Sequence, residues 1–235
     1  MWNVYETLLT YRHVDGPAGY QLVPGLAQSL PTISNNGRVY NFKLRSGLKY
    51  SNGKPVLASD FKWAIKRGFL ATGQGVGFYT DIAGAEAYSK HPTKSGNISG
   101  IITNNKKRSI TIKLATPRGD FLTILALIFA APVPANTSTA ILNGTIPGTG
   151  PYRFSSFDAN RGFTMVRNKY FKPTKYIPRG NPDKIDVALV GDANAATQRV
   201  ISGQADYSNG AIPPDRIATA KNQGHLVLRQ TANTY

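Results

Sequence analysis

The chain has 235 residues, of which 41% are hydrophobic and 17% charged, a composition that fits one large or two small globular domains. It contains no cysteine, which excludes disulfides, thiolate metal sites and cysteine nucleophiles. The 28 lysines and arginines outnumber the 12 aspartates and glutamates, and the net charge of +16 permits attraction to phosphate-rich partners.

The first 60 residues are predicted to alternate short strands with turns. Asn36–Gly37 is a strong turn signal, and the β-branched and aromatic residues of 39–45 favour a strand directly after it. From Ser59 the apolar residues fall on one helical face as far as Leu70, and either Ser59 or Asp60 can cap the first turn. The sequence therefore predicts a β-rich start followed by a helix.

The middle of the chain is predicted to hold two hairpins and a buried helix. The basic run 106–108 lies between the apolar positions of 101–114, which favours a solvated hairpin tip over a nucleic-acid contact. The apolar run Phe121–Ala131 is shorter than the ~20 residues that span a bilayer, so we predict a buried helix that Pro132 stops. Strand-like residues within 152–166 predict the second hairpin.

The last quarter of the chain is predicted to form an α/β layer. A short apolar strand at 185–190 is followed by a helix that Asp192 caps and that Gly203 ends in the left-handed conformation. A further helix opens at Pro213–Pro214, Gly224 closes it, and a strand follows at 225–229. This order of elements differs from the mostly β first part.

The sequence shows no constellation of catalytic or metal-binding residues. The histidines lie far apart, at His13, His91 and His225, and none belongs to a motif with metal-ligand spacing. No Gly-x-Ser-x-Gly elbow is present, and the few carboxylates indicate no acid/base pair. We therefore expect no enzyme activity, no catalytic residue, no metal and no cofactor.

The loop Pro-Gly-Thr-Gly-Pro-Tyr-Arg-Phe at 147–154 raises the question of a phosphate site. A phosphate loop needs a Lys-Ser/Thr pair entering a helix, whereas here Pro151 and strand-like residues follow the glycines. We interpret the loop as a backbone joint in which Gly148 and Gly150 are available for positive φ and Pro151 fixes the exit.

Several ordered blocks of the sequence resemble the family 5 extracellular solute-binding proteins, the peptide/nickel class that feeds ATP-driven importers. The blocks are Tyr5–Leu9, Pro24–Ser29, Leu44–Phe61, Gly148–Phe154, Arg167–Phe171, Lys184–Asp186 and Ser202–Asp206. Phe171 stands where the family usually has tryptophan, which is a mild departure. Because the blocks keep their order and spacing over nearly the whole chain, the resemblance is specific.

The resemblance implies an α/β fold, the periplasmic-binding-protein type II-like fold, in which two lobes hold the ligand in a cleft and close about a hinge. Family members are considerably longer, so we expect an incomplete fold with lobe I, a β-rich subdomain and no lobe II. Residues 1–20 would start lobe I and 21–175 would form the β-rich subdomain with helices. Residues 176–235 would form the α/β return to lobe I and end at the hinge.

The implied function is that of an extracellular receptor of an ABC importer, with oligopeptides as the first expected ligand and nickel chelates or oligosaccharides as alternatives. The implied partners are a small-molecule or peptide ligand and a membrane permease, with the receptor a monomer that binds no nucleic acid. A different class, a basic nucleic-acid-binding module, is the alternative that the net charge motivates. The N-terminus shows no signal peptide, so we expect a periplasmic or lipid-anchored protein whose signal segment is absent from this chain.

The resemblance also implies which positions of this chain face the cleft. A carboxylate in the cleft, here that of Glu6, could pair with a cationic group of the ligand, although a surface strand position is an equal alternative. The aromatic side chains among these positions offer flat apolar surface with a polar tip, although core packing is an equal alternative for them. The predicted ligand-binding residues are Glu6, Thr7, Phe78, Tyr79, Thr149, Asn209, Asn233 and Tyr235.

Overall fold

The computed structural model describes residues 3–14, 16–73, 75–135, 137–140 and 145–222. They form two compact units. The first comprises the chain up to Ala159 together with Phe163–Asp186, and the second comprises Asn160–Gly162 together with the chain from Val187. The lobe and subdomain boundaries given above stay predictions.

Antiparallel sheets organise the first unit. Strands β1 (Leu9–Tyr11) and β2 (Leu22–Pro24) form a pair, and β3 (Thr32–Ser34), β4 (Val39–Lys43), β5 (Ile101–Asn104) and β6 (Ser109–Lys113) form a sheet in the order β3-β4-β6-β5. In the central pair Tyr40 lies opposite Ile112 and Phe42 opposite Ile110. All four side chains are buried, because successive strand residues alternate between the two faces and these share the core face.

The predicted turns of this sheet are confirmed. Asn36 has a φ of 51° and Gly37 a φ of 79°, the left-handed backbone that the turn between β3 and β4 requires. At the tip between β5 and β6, Lys106 and Lys107 are exposed, as expected for a solvated hairpin tip, and Arg108 has a φ of 55°.

The helix predicted after residue 59 is α1 (Ala58–Leu70). The predicted cap is corrected, since the N-cap is Leu57 and Asp60 lies in the first turn. The Asp60 carboxylate accepts a hydrogen bond from the Leu57 N–H at 2.9 Å and another from the Tyr50 hydroxyl at 3.0 Å. These bonds satisfy a free donor at the helix start and tie α1 to the preceding turn. Lys62 Nζ donates to the Ile101 carbonyl at 2.7 Å and joins α1 to β5.

A second helix, α2 (Ala85–Lys90), precedes β5, and α3 (Phe121–Ile124) begins the long apolar run. The prediction of one helix over Phe121–Ala131 is wrong. Leu127 has extended dihedrals of −69° and 142°, and a 3-10 turn at Ile128–Ala130 replaces the last part of the expected helix. Because the run is apolar all round, it has no single face that would hold it in one helical register.

The second predicted hairpin is confirmed as β7 (Tyr152–Asp158) and β8 (Gly162–Arg167), and β9 (Lys184–Ala188) completes a sheet of order β7-β8-β9. In the second unit Asp192 Oδ1 accepts from the Ala195 N–H at 2.7 Å, so it caps α4 (Ala193–Ile201) as predicted.

The elements that follow in the second unit also match the prediction. Gly203 has the expected left-handed backbone, with a φ of 72°. A 3-10 turn at Pro214–Arg216 leads into α5 (Ile217–Asn222), so the helix opening is confirmed. Gly224 and the strand predicted at 225–229 lie outside the described residues.

The main core lies in the first unit, between α1, the four-stranded sheet and the segment around α3. Its largest fully enclosed members include Leu8, Leu26, Leu44, Ile101 and Phe121. Within the ranges described above, no helix is both long and apolar enough to cross a membrane.

Candidate functional site

The candidate site begins where the N-terminal segment meets the glycine-rich loop. The Gly150 N–H donates to the Val4 carbonyl at 2.8 Å, and the Tyr152 N–H donates to the Asn3 carbonyl at 2.9 Å. The loop therefore runs beside residues 3–7 as a short pairing between parts of the chain that are far apart in sequence. Asn168 also anchors the loop, since its Nδ2 donates to the Gly150 carbonyl at 2.9 Å.

The glycines of this loop serve close approach and not a left-handed turn. Neither Gly148 nor Gly150 has a positive φ, so that part of the interpretation from sequence is wrong. A Cβ on Gly148 would lie 2.1 Å from the Val4 carbonyl oxygen, and one on Gly150 would lie 2.7 Å from the Asn3 carbonyl oxygen. Only a residue without a side chain lets the two backbones come this near.

The pairing brings Glu6, Thr7 and Thr149 together. Thr149 is buried, and its Oγ1 accepts from the Glu6 N–H at 3.1 Å while lying 3.4 Å from the Glu6 carbonyl oxygen. Thr7 is also buried, and its hydroxyl donates to the Leu9 carbonyl. Both hydroxyls are therefore hydrogen-bonded to the chain's own backbone.

The Glu6 carboxyl is the unusual group of this cluster. The residue is 3% exposed, and burial raises the pKa of its carboxyl to about 8, against the pull of the Arg45 guanidinium. Burial in turn lowers the pKa of Arg45, whose Nε donates to the Gly25 carbonyl at 2.9 Å. At neutral pH the Glu6 carboxyl is thus mostly protonated in this chain, and it can donate a hydrogen bond.

A cavity of about 360 Å³ lies next to this junction, on the side of α1 that faces the segment around 128–133. The Tyr5 hydroxyl donates to the Ile146 carbonyl at 3.0 Å. Tyr79 is 2% exposed, burial raises the pKa of its hydroxyl, and no hydrogen-bond partner for that hydroxyl occurs among the described residues. The wall is mostly apolar and includes Tyr5, Arg67, Val76, Tyr79, Phe129 and Ile146.

Phe78 lies beside this cavity and remains partly in solvent. Its ring is 42% exposed and stacks on that of Phe129, with centroids 6.3 Å apart and planes 21° apart. Phe129 in turn packs on Gly75, where an added Cβ would come within 2.5 Å of the ring. The glycine, at a φ of 86°, therefore makes room for the aromatic pair.

The remaining predicted site residues lie in the second unit or outside the described residues. Asn209 belongs to the second unit, is exposed, and accepts a hydrogen bond from the Tyr207 hydroxyl at 3.3 Å. Asn233 and Tyr235 lie outside the described residues. Their role as ligand-binding residues, like that of the other predicted positions, stays a prediction.

Sequence reasoning missed Arg67, Phe129 and Ile146 as members of the cavity wall. Tyr5 lies in the matched block Tyr5–Leu9, next to the predicted site residue Glu6, and this position in the sequence was the available signal. No comparable signal marks Phe129, because the sequence predicts one helix over Phe121–Ala131 and the structure has a 3-10 turn at this residue. In the ranges that the structure describes, no three His, Asp or Glu side chains are placed to hold a metal ion.

Known proteins share sequence and fold with this chain. The model of the family described as bacterial extracellular solute-binding proteins, family 5 Middle, matches residues 21–235. The oligopeptide-binding protein OppA of Bacillus subtilis (strain 168) is 26% identical over 225 residues, which are 90% of this chain and 40% of OppA. The dipeptide-binding protein DppE of the same strain is 26% identical over 222 residues, 90% of this chain and 39% of DppE.

The solved structures include the clavulanic acid biosynthesis oligopeptide binding protein 2, with a TM-score of 0.79 and 23% identity. The alignment covers 95% of this chain and 42% of that protein. The likeness confirms the predicted fold class, a partial lobe of the periplasmic-binding-protein type II fold with mixed helix and sheet. The chain spans about 40% of the length of these two curated relatives.

Proposed function

Because the chain belongs to the bacterial extracellular solute-binding proteins of family 5, we propose that it forms the first-lobe portion of a receptor that delivers oligopeptides to an ABC importer. The observation that carries the proposal is the family match over residues 21–235, together with relatives that are named for binding oligopeptides and dipeptides. The proposed role is binding without catalysis. The proposed partners are a peptide and a membrane permease, with the receptor acting outside the cell as a monomer.

The cavity wall supports a peptide ligand. Tyr5, Tyr79 and Phe129 offer apolar surface of the kind that holds peptide side chains, and a cavity of about 360 Å³ falls within the usual range of ligand pockets. Glu6 is not among the residues that line this cavity, but it follows Tyr5 in the chain, and we propose that its neutral carboxyl donates to a peptide carbonyl. Thr7 and Thr149 would hold the backbone around Glu6 in place, since their hydroxyls hydrogen-bond to backbone groups of this segment.

The proposal places only one side of the ligand site on this chain. Receptors of two lobes gain affinity by burying the ligand between both surfaces and closing about it. Residues 1–20 and 176–235 would contribute the lobe I surface, with 21–175 as the attached subdomain. Asn209, Asn233 and Tyr235 would then complete the first-lobe side of the cleft near the hinge.

Calorimetry tests the proposed ligand class. A protein of the relatives' length that contains this chain would be titrated with tri- to pentapeptides, with nickel–histidine complexes and with oligosaccharides. We expect saturable binding of the peptides alone. Saturable binding of nickel–histidine or of a sugar, with no heat from any peptide, would overturn the proposal that peptides are the ligands.

A further inference from the structure

Two lysines flank one tyrosine on the surface of the first unit, and a third lies beside Gly47 in the adjoining turn. Lys49 Nζ lies 5.6 Å from the centroid of the Tyr170 ring, and Lys169 Nζ lies 5.1 Å from the same centroid. Lys172 Nζ lies 2.5 Å from the point that a Cβ on Gly47 would occupy, two residues before Lys49. All three lysines are exposed, and we call Lys49, Lys169, Lys172 and Tyr170 the lysine cluster.

Among the described residues, no ion pair neutralises the positive charge of the lysine cluster. The ion pairs found among the described residues use Lys90, Arg118, Arg167, Lys184 and Arg216. None of them includes a lysine of the cluster. Three exposed ammonium groups in these neighbouring segments, with no ion pair to a carboxylate among the described residues, favour an anionic partner by charge complementarity.

The backbone under the lysine cluster is rigidly held. The Tyr170 N–H donates to Asn168 Oδ1 at 3.0 Å, and Asn168 also anchors the glycine-rich loop. A Cβ on Gly53 would lie 3.0 Å from the Tyr170 ring, so the turn at 50–53 packs directly beside the tyrosine. The cluster is therefore a preformed surface, and binding through it costs little backbone order.

The basic and aromatic pattern continues along the same segment. Lys175 Nζ lies 4.8 Å from the centroid of the Tyr176 ring, and Lys175 is exposed. Tyrosines that present an apolar ring and a polar hydroxyl are typical of the membrane–water interface, where lysines meet lipid phosphates. The lysines and tyrosines within 169–176 are the residue types expected where a protein surface contacts lipid headgroups.

We propose that the lysine cluster docks this protein on an anionic lipid bilayer. The family acts outside the cell, where the nearest extended anionic surface is a membrane, and this favours lipid phosphates over nucleic acid. Docking of this kind would hold a receptor near the permease that it serves. The inference does not depend on the identity of the transported ligand.

Vesicle sedimentation tests the docking. The 235-residue chain would be mixed with phosphatidylcholine vesicles, with and without phosphatidylglycerol, at ~0.15 M salt. The variant Lys49→Gln/Lys169→Gln/Lys172→Gln is compared with Lys106→Gln/Lys107→Gln/Lys113→Gln, which removes the same charge from exposed positions of the β5–β6 hairpin. Thermal unfolding of both variants would verify that they remain folded.

We expect the unmodified chain to bind the anionic vesicles only. Each lysine at a membrane surface accounts for about a fivefold change in partitioning, so the cluster variant should bind roughly a hundredfold more weakly. The hairpin variant should stay within about threefold of the unmodified chain. Equal losses in both variants, or no binding by the unmodified chain, would overturn the proposal, as would tighter binding to duplex DNA than to the anionic vesicles.

Discussion

At the scale of single residues, Glu6 links the stability of the chain to pH. Burial raises the pKa of its carboxyl from the usual 4.5 to about 8, so the folded chain keeps a proton that the unfolded chain releases. The stabilisation from this proton is fully present below pH 4.5 and is lost as the pH rises through about 8. Within that window the folded state becomes less stable with rising pH on account of this group.

Replacement of Glu6 by Gln should remove this pH dependence. The free energy of unfolding of the unmodified chain should fall relative to that of Glu6→Gln by up to ~1.4 kcal/mol per pH unit inside the window. Urea unfolding below pH 4.5 and above pH 8 measures the difference. Glu86→Gln is the control, since it removes an exposed carboxylate that lies 4.0 Å from Lys90, and its profile should parallel that of the unmodified chain. A Glu6→Gln profile parallel to both would contradict the account.

Glu6 and Thr149 were each predicted from the family pattern, but their contact was not. The hydrogen bond from the Glu6 N–H to Thr149 Oγ1 joins positions that are 143 residues apart. Sequence periodicity depends on residues that are close along the chain, so it does not predict contacts between residues this far apart. The burial of the Glu6 carboxyl, and with it the raised pKa, was therefore outside the reach of sequence reasoning.

At the scale of elements, the pairing between residues 3–7 and the glycine-rich loop is a joint that tolerates no side chain at its centre. Gly148→Ala would place a methyl group 2.1 Å from the Val4 carbonyl oxygen, and a backbone atom cannot turn away as a side chain can. We expect a loss of about 3 kcal/mol in the free energy of unfolding, which is the upper end of the usual range for an overpacking substitution.

Gly119→Ala is the matched control, because an added Cβ there meets no atom within 4 Å and its φ is not positive. Its free energy of unfolding should change by no more than ~0.5 kcal/mol. Urea unfolding of both variants gives the comparison. Equal stabilities of the two variants would show that the close approach at Gly148 is not required.

The elements that were predicted well have strong local signals. Asp192 and Gly203 mark the two ends of α4, and the turn at Asn36–Gly37 marks the hairpin of β3 and β4. The segment after Phe121 could not be predicted in this way, because its apolar residues carry no period. Packing into the core sets its shape, and the chain leaves the helix at Leu127.

At the scale of the whole molecule, family membership was visible in the sequence because the matched blocks are turns, caps and close approaches that the fold requires. Lys49–Pro55 and the loop around Gly148 hold their residues for such reasons, as the contacts of Tyr50 with Asp60 and of Gly148 with Val4 illustrate. Surface positions are harder to predict, because no local pattern in the sequence fixes where an exposed lysine lies in the fold. Only the structure therefore reveals the lysine cluster, because it brings Lys49 and Lys169 to the same tyrosine ring.

The most direct measurement is a side-by-side calorimetric titration of tri- to pentapeptides into the 235-residue chain and into a protein of the relatives' length that contains it. We expect saturable heat from the longer protein and none from the 235-residue chain, because under the proposed function this chain supplies only one surface of the ligand site and would leave most of the peptide in water. Micromolar peptide binding by the 235-residue chain alone would contradict the account.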